Sequence, residues 1–515
     1  MGYESPVAGN GAASSPGSPA VAEVDVAIIG AGISGIGMAA HMQMRCPDRS
    51  YAVLERRPRI GGTWDLFRYP GVRSDSDMHT LGFVFEPWKH EKSIADGPSI
   101  LDYLNRIADE RGIRRHIRFG RKVLTADWDS ATARWTLVSE TDDGARDVLV
   151  ARFLYLGSGY YDYDQPYEAA IPGKEDFAGK LVHPQFWPAD LDYAGKNVVV
   201  IGSGATAITV VPAMAREAAH VTMLQRTPTW CGIRPAKDGI ANFLRRILPE
   251  RTAYAITRWK NVRVQNIVFK RAREKPEQVK AFLTDKIKAA LGDKFDAKAF
   301  TPPYDPWDQR LCLVPDGDLF DAIRAGKASV VTDHIDRIDA TGIRLQSGEH
   351  IAADVIVTAT GLKMNMAGNI AVRVDGAEVD WSQHYYYKGC MFSNVPNLAA
   401  VFGYLNASWT LRADIDSEYV CKLLDTMKRR GADVATPVLA ADHGMTDDNV
   451  YDFSSGYIQR ARHLLPKSAT DMRWRLNQDY VRDRAWMASD PIEDGVLHLT
   501  KATAQAAPAL LEAAE

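Results

Sequence analysis

Apolar and polar positions change their spacing several times along the chain, and each change marks an element. From Val24 the apolar run VDVAII meets a glycine-rich turn and then the helical spacing of SGIGMAAHM. That order predicts a strand buried on both faces followed by a helix. SYAVLE (50–55) predicts the next strand, and SILDYLNRIADERGI (99–113) a helix. Alternation through TADWDSATARWTLVSE (125–140) predicts half-buried strands, and RFLYLGSGYY (152–161) a strand returning to the first. The strand–turn–helix order repeats at KNVVVIGSGATAITVVPAMA (196–215), followed by the strand HVTMLQR (220–226). Helical text fills 233–300, alternation resumes in GIRLQSGEHIAADVIVTATG (342–361), and VPNLAAVFGYLNASWTLRADIDSEYV (395–420) runs through a loop into a helix. The repeated units predict an α/β protein with two Rossmann-like dinucleotide-binding sites, the second followed by helical text.

Both turns carry the chemistry of a nucleotide site. Gly30, Gly32 and Gly35 form G-x-G-x-x-G around Ser34, and Glu55 ends the next strand, where a carboxylate can accept hydrogen bonds from a ribose. In the second unit Gly202, Gly204 and Ala207 form G-x-G-x-x-A, with Ala205 and Thr206 opening the helix. There the following strand ends in Arg226 and Thr227. A cation in place of the ribose-binding acid favours NADP through its 2'-phosphate, a surface cation being the plainer alternative.

Composition narrows the class further. The 515 residues allow roughly three domains, and 46% hydrophobic with 25% charged residues is ordinary for a globular chain. A net charge of -3 gives no electrostatic footprint for nucleic acid. The cysteines (46, 231, 312, 390 and 421) are scattered, without C-x-x-C pairs, so neither a zinc site nor a disulfide framework is expected. Residues 1–22 are rich in Gly, Ala, Ser and Pro and are expected to be a disordered tail without a signal-peptide core. No run of about 18 uncharged apolar residues suggests a membrane span, and the expected location is the cytoplasm. Segment 236–300 stands apart, with 16 Lys or Arg against 7 Asp or Glu. Such a surplus can draw in an anionic cofactor or touch a membrane surface, with a solvated helical face as the plain alternative.

Between the two glycine motifs lies FAGKLVHPQFWP, in which Phe177, Gly179, His183, Trp187 and Pro188 hold the spacing F-x-G-x-x-x-H-x-x-x-W-P. The stretch resembles the fingerprint of type I Baeyer–Villiger monooxygenases, a branch of the flavin-containing monooxygenases. The strings GGTWDLFRYPG, IGSGATA, YDPWDQRLC and YLNASWTL resemble their ethionamide-activating subgroup, and the likeness covers about residues 23–490.

The resemblance implies FAD at the first site, with Gly62, Thr63 and Trp64 as a second flavin contact, and NADPH at the second. It implies that Arg310 is the catalytic arginine, that Asp75 positions and tunes it, and that Thr360 and Gly361 end the strand linking the two domains. Asp75 could otherwise be a turn residue of Ser-Asp-Ser-Asp. Asn406, Ser408 and Trp409 are candidate pocket or flavin contacts, with core packing equally open for Trp409. His183 is read as coupling two domains or capping backbone. Gln309 stands where better-known members carry lysine for the cofactor phosphate, which leaves Arg226 as the main phosphate ligand.

The implied division is 23–160 and 366–515 for FAD, 161–190 a linker, 191–232 and 309–365 for NADP, and 233–308 the helical insertion. The implied reaction inserts one oxygen of dioxygen into a ketone through a flavin peroxide, giving an ester or lactone, with thioethers as further substrates. Alternatives are an S- or N-oxygenating flavin monooxygenase, a long-chain alkane hydroxylase, an FAD/NADP reductase serving a protein partner, and a nucleotide-regulated binding protein without turnover. Oligomeric state is left open.

Overall fold

A computed structural model describes residues 22–448 and 454–502. Of the expected tail, only Ala22 falls among them, and it already belongs to the first strand, Ala22–Ile29, because the neighbouring strand extends far enough to pair with it through Leu149. Part of the aromatic stretch YDFSSGYIQR, residues 451–453, lies outside the described residues.

The first sheet has nine strands. Its parallel part runs Ile117–Arg118, Tyr51–Leu54, Ala22–Ile29, Arg146–Leu156 and Leu398–Ala400. The strand Arg146–Leu156 also pairs antiparallel with Arg134–Thr141, which pairs with Arg121–Asp129. Ala371–Val374 joins this edge from more than 200 residues away. The helices Ile33–Arg45 and Trp409–Arg430 pack together on the sheet, and their apolar faces fill the largest core cluster. The described residues thus bring the start of the chain and its last third onto one sheet.

The second sheet is wholly parallel, in the order Ala328–Thr332, His220–Gln225, Asn197–Ile201, Val355–Thr358 and Lys180–Val182. The run VVVI is buried throughout, as expected for a strand covered on both faces. Residues 161–190, expected to be a linker, contribute the edge strand of this sheet, paired with Val355–Val357. Fingerprint residues Phe177 and Gly179 sit just before that strand. The helical text forms Gly239–Ile247, Glu250–Glu274, Pro276–Leu291 and Ala297–Phe300. A short parallel ladder, Cys231–Arg234 with Cys312–Pro315, brackets these helices. All five cysteines are buried and free. No helix among the described residues is long and apolar enough to cross a membrane.

In each sheet the glycine motif lies where the strand order reverses, the usual place for a ligand crevice in an open α/β sheet. A Cβ at Gly30 would meet the Gly157 carbonyl at 2.9 Å, and one at Gly202 the Ala359 carbonyl at 2.3 Å. The first glycine of each motif is therefore required by the adjacent returning strand as well as by its own turn.

Candidate active site

The first turn closes tightly because a Cβ at Gly35 would lie 1.8 Å from the Gly30 carbonyl oxygen. Glu55 braces this turn from the next strand. Its Oε2 accepts from the Ala31 N–H at 2.6 Å and its Oε1 from the Arg57 N–H at 2.8 Å. Burial raises its pKa, and the two backbone donors only partly offset that. Helix Ile33–Arg45 begins at Gly32 without a side-chain cap, so its first amides are free to meet an anion. Close by, Asp65 is fully buried beneath Arg57, Arg59 and Arg68. Burial alone would raise its pKa, but hydrogen bonds from Arg59 and Arg57 hold it below the ordinary carboxylate value.

The second turn opens onto the same space. Helix Ala205–Met214 also lacks a side-chain cap, and a Cβ at Gly204 would meet nothing within 4 Å. Ala205 and Thr206 line the cleft that holds Gly30, Gly32, Ser34, Glu55, Gly62, Thr63, Trp64, Asp75, Arg310 and Trp409. Its empty volume, counted out to the mouth, is about 2050 Å³. Tyr69 crosses from the first unit toward Thr206, and burial pushes its pKa up to about 12 despite the hydrogen bond from that threonine. Arg226 is exposed beyond its strand and makes no salt bridge among the described residues. The carbonyl of Thr227 accepts from the Ser203 hydroxyl at 2.9 Å.

Asp75 and Arg310 meet between these two cradles, with Nη2 and Oδ2 3.0 Å apart. Their side chains are 32% and 38% exposed, for Arg310 and Asp75 respectively, and both line the cleft. The Asp75 carboxylate raises the arginine pKa further, so the guanidinium is permanently charged. Asp75 is placed by its loop: Gly71 packs on Thr209 and Ala213 of the second unit, Arg73 pairs with Asp318, and the Ser74 N–H donates to the Ala95 carbonyl. Arg310 is placed by the ladder that follows it at Cys312 and by Asp308, which pairs with Arg273 at 2.5 Å and accepts from the Ser454 N–H through its carbonyl.

Two neighbours of Arg310 escaped the sequence reading. Tyr160 and Tyr161 share a hydrogen bond of 2.7 Å, and both lie close enough to Arg310 for its charge to act on their hydroxyls. Tyr160 stacks on Trp409 with centroids 5.0 Å apart, and the Trp409 indole N–H donates to the Ser34 hydroxyl at 2.7 Å. A line of contacts thus runs from the first helix N-terminus to the cation. The only signal for the tyrosines was their place directly after the returning strand.

Other expected residues stand away from the cleft wall. The Asn406 side chain donates to the Gln478 carbonyl at 2.8 Å, and the Ser408 hydroxyl bonds that of Thr80 at 2.7 Å. Thr360 Oγ1 is buried without a hydrogen bond among the described residues, and Gly361 has a φ of 116°. A Cβ at Gly179 would strike the Asp354 carbonyl at 2.4 Å, while Trp187 packs against the second core and Pro188 is exposed. His183 caps the short turn Pro184–Phe186, its Nδ1 accepting from the Gln185 N–H at 3.1 Å. Nε2 is buried without a hydrogen bond of good geometry, the Gly361 backbone lying beside the ring, and burial lowers the histidine pKa.

Comparison with known proteins agrees with this layout. The pyridine nucleotide-disulphide oxidoreductase family matches residues 27–302. The FAD-containing monooxygenase EthA of Mycolicibacterium smegmatis is 50% identical over 479 residues, 93% of this chain and 97% of that protein. Among solved structures, oxidized steroid monooxygenase bound to NADP aligns with a TM-score of 0.72 at 23% identity, over 93% of this chain and 100% of that one. Cyclohexanone monooxygenase bound to ε-caprolactone aligns with a TM-score of 0.73 at 21% identity over the same shares.

Proposed function

The chain belongs to the FAD-containing monooxygenases of the pyridine nucleotide-disulphide oxidoreductase family, and from that premise we propose that it inserts one oxygen atom of dioxygen into ketones, giving esters or lactones, with NADPH as reductant. Thioether sulfoxidation at the same site is part of the proposal. The observation that carries it is the Asp75–Arg310 pair, which faces the cleft between two uncapped helix N-termini.

The residues fit two dinucleotides. Gly30, Gly32, Ser34, Glu55 and Gly62–Trp64 would hold FAD. Gly202, Gly204, Ala205, Thr206, Arg226 and Thr227 would hold NADPH, the bare approach at Gly204 leaving room for a pyrophosphate, while Thr360 and Gly361, just past the neighbouring strand, stand away from the cleft wall. By the same reading 23–160 and 366–515 form the FAD domain, and 191–232 with 309–365 the NADP domain around the insertion 233–308. When bound, FAD reduced by NADPH supplies the electrons that activate dioxygen.

Oxygen transfer to a carbonyl carbon builds negative charge on oxygen, and a fixed guanidinium in a partly dehydrated cleft stabilises it at every pH the fold tolerates. Asp75 holds that cation without neutralising its reach into the cleft. Tyr160, Tyr161 and Trp409 form an aromatic wall beside that cation, which would limit the approach of water on that side.

The test is product analysis after incubation with FAD, NADPH, dioxygen, a linear methyl ketone and a thioether. Ester from the ketone supports the proposal. Sulfoxide alone would move the enzyme to heteroatom oxygenation, and hydrogen peroxide alone to reduction without oxygen transfer. In Arg310→Ala, NADPH still bleaches the flavin but ester formation falls by at least ~100-fold, the loss typical of a deleted transition-state donor. An unchanged ester yield would remove Arg310 from the mechanism.

A further inference from the structure

Nine of the sixteen large hydrophobic side chains exposed among the described residues lie between 240 and 282. Ile240, Phe243 and Ile247 stand at helical spacing on Gly239–Ile247, and Ile256, Trp259 and Ile267 do the same on Glu250–Glu274, which packs against it. Phe243 is 58% exposed, Trp259 63% and Ile267 62%. These are not frayed elements. The long helix is fixed by its inner face, where Arg258 Nη1 donates to the carbonyls of His79 at 3.0 Å and Gly82 at 2.7 Å, and Asn261 donates to Asp77 at 2.9 Å. Its outer face carries Ile256, Trp259, Val264, Ile267 and Val268 in the open on a firmly held helix.

Cations are interleaved with these side chains. Arg246, Arg251, Arg263 and Arg271 are exposed and make no salt bridge among the described residues, and the Arg263 guanidinium lies 5.5 Å over the Trp259 ring. They belong to the segment with 16 Lys or Arg against 7 Asp or Glu, in a chain whose net charge is -3.

We propose that the outer faces of Gly239–Ile247 and Glu250–Glu274 form a docking surface for an anionic lipid bilayer. Apolar and aromatic side chains would enter the headgroup boundary while the arginines meet lipid phosphates, the pattern of a helix that lies in a membrane interface. Tryptophan suits that depth, with an apolar body and one polar N–H. A second copy of the chain fits less well. A symmetric dimer through this patch would bring the same unpaired guanidiniums against one another. No helix of the described residues spans a membrane, so attachment would be peripheral and reversible.

The experiment is flotation of the full-length, FAD-loaded protein with vesicles of phosphatidylcholine alone and of phosphatidylcholine with phosphatidylglycerol. The protein should float with the anionic vesicles and be released near 1 M salt, where the screening length is about 3 Å. The double variant Phe243→Ser/Trp259→Ser should lose flotation by ~10-fold or more while retaining its flavin absorbance, melting temperature and NADPH oxidation rate. Arg246→Glu/Arg263→Glu should lose the preference for anionic vesicles. Flotation of the wild type with neither vesicle, or equal flotation of wild type and the serine variant, would overturn the proposal. So would a change in sedimenting mass between wild type and the serine variant without lipid, which would make the patch a contact between copies.

Discussion

Arg310 takes its position from the ladder of the second unit and its partner from a loop of the first. Substituting Asp75 by Asn keeps the volume and removes the charge that raises the arginine pKa. Since the arginine remains protonated, the expected effect is misplacement. NADPH consumption should continue while the ratio of ester to NADPH falls by ~10-fold or more, with peroxide as the balance, which an oxygen electrode and product assay measure together. His183 makes a different prediction. Its pKa is lowered in the folded protein, so the stability it contributes is complete above the unfolded value of about 6.5 and is lost as pH falls through the folded one. His79 is depressed in the same direction by heavier burial. Melting temperatures of wild type and His183→Asn should therefore converge as pH falls from about 7 to 5, with the His79 share of the acid loss remaining in both.

At the scale of elements, Glu250–Glu274 is tied to the first unit through one buried cation. Arg258 is buried against three backbone carbonyls and Asp414, which also receives His41 at 3.2 Å. Arg258→Met should cost about 3–5 kcal/mol in urea unfolding, because Asp414 and the carbonyls lose their cation inside the protein. It should also lower ester formation, since those carbonyls begin four residues after Asp75.

The glycine turns, the parallel strands and the helices could be read from the sequence because each is a local pattern: VVVI is buried on both faces, and each glycine motif sits between a strand run and helical spacing. Pairing across long separations could not. Nothing local says that Ala371–Val374 joins Arg121–Asp129, or that Lys180–Val182 is a sheet edge and not part of a linker. Arg310 and Asp75 were found by likeness of their strings, while Tyr160, Tyr161 and the buried Asp65 depend on who their neighbours are in space. Asn406 and Ser408 were expected at the cavity, yet the same loop turns their polar groups toward Gln478 and Thr80.

Over the whole molecule, two glycine turns open on one cleft, and Arg226, exposed at the end of the strand after the second, makes no salt bridge among the described residues. Arg226→Ala should raise KM for NADPH by ~10- to 100-fold while leaving KM for NADH nearly unchanged, since a charge-assisted bond to the 2'-phosphate is all that is removed. Equal loss with both cofactors would make Arg226 a general structural residue. Asp75 and Arg310 reach each other from opposite units, so their separation of 3.0 Å registers how those units are seated. Moved apart by the width of one water molecule, the pair would become solvent-separated while each sheet kept its hydrogen bonds. On the role proposed for Arg310, the pair would act as an interlock, with oxygen committed to substrate only while both halves keep this alignment. Damage at any seam between the units, however distant, would then surface as wasted NADPH and not as an unfolded protein.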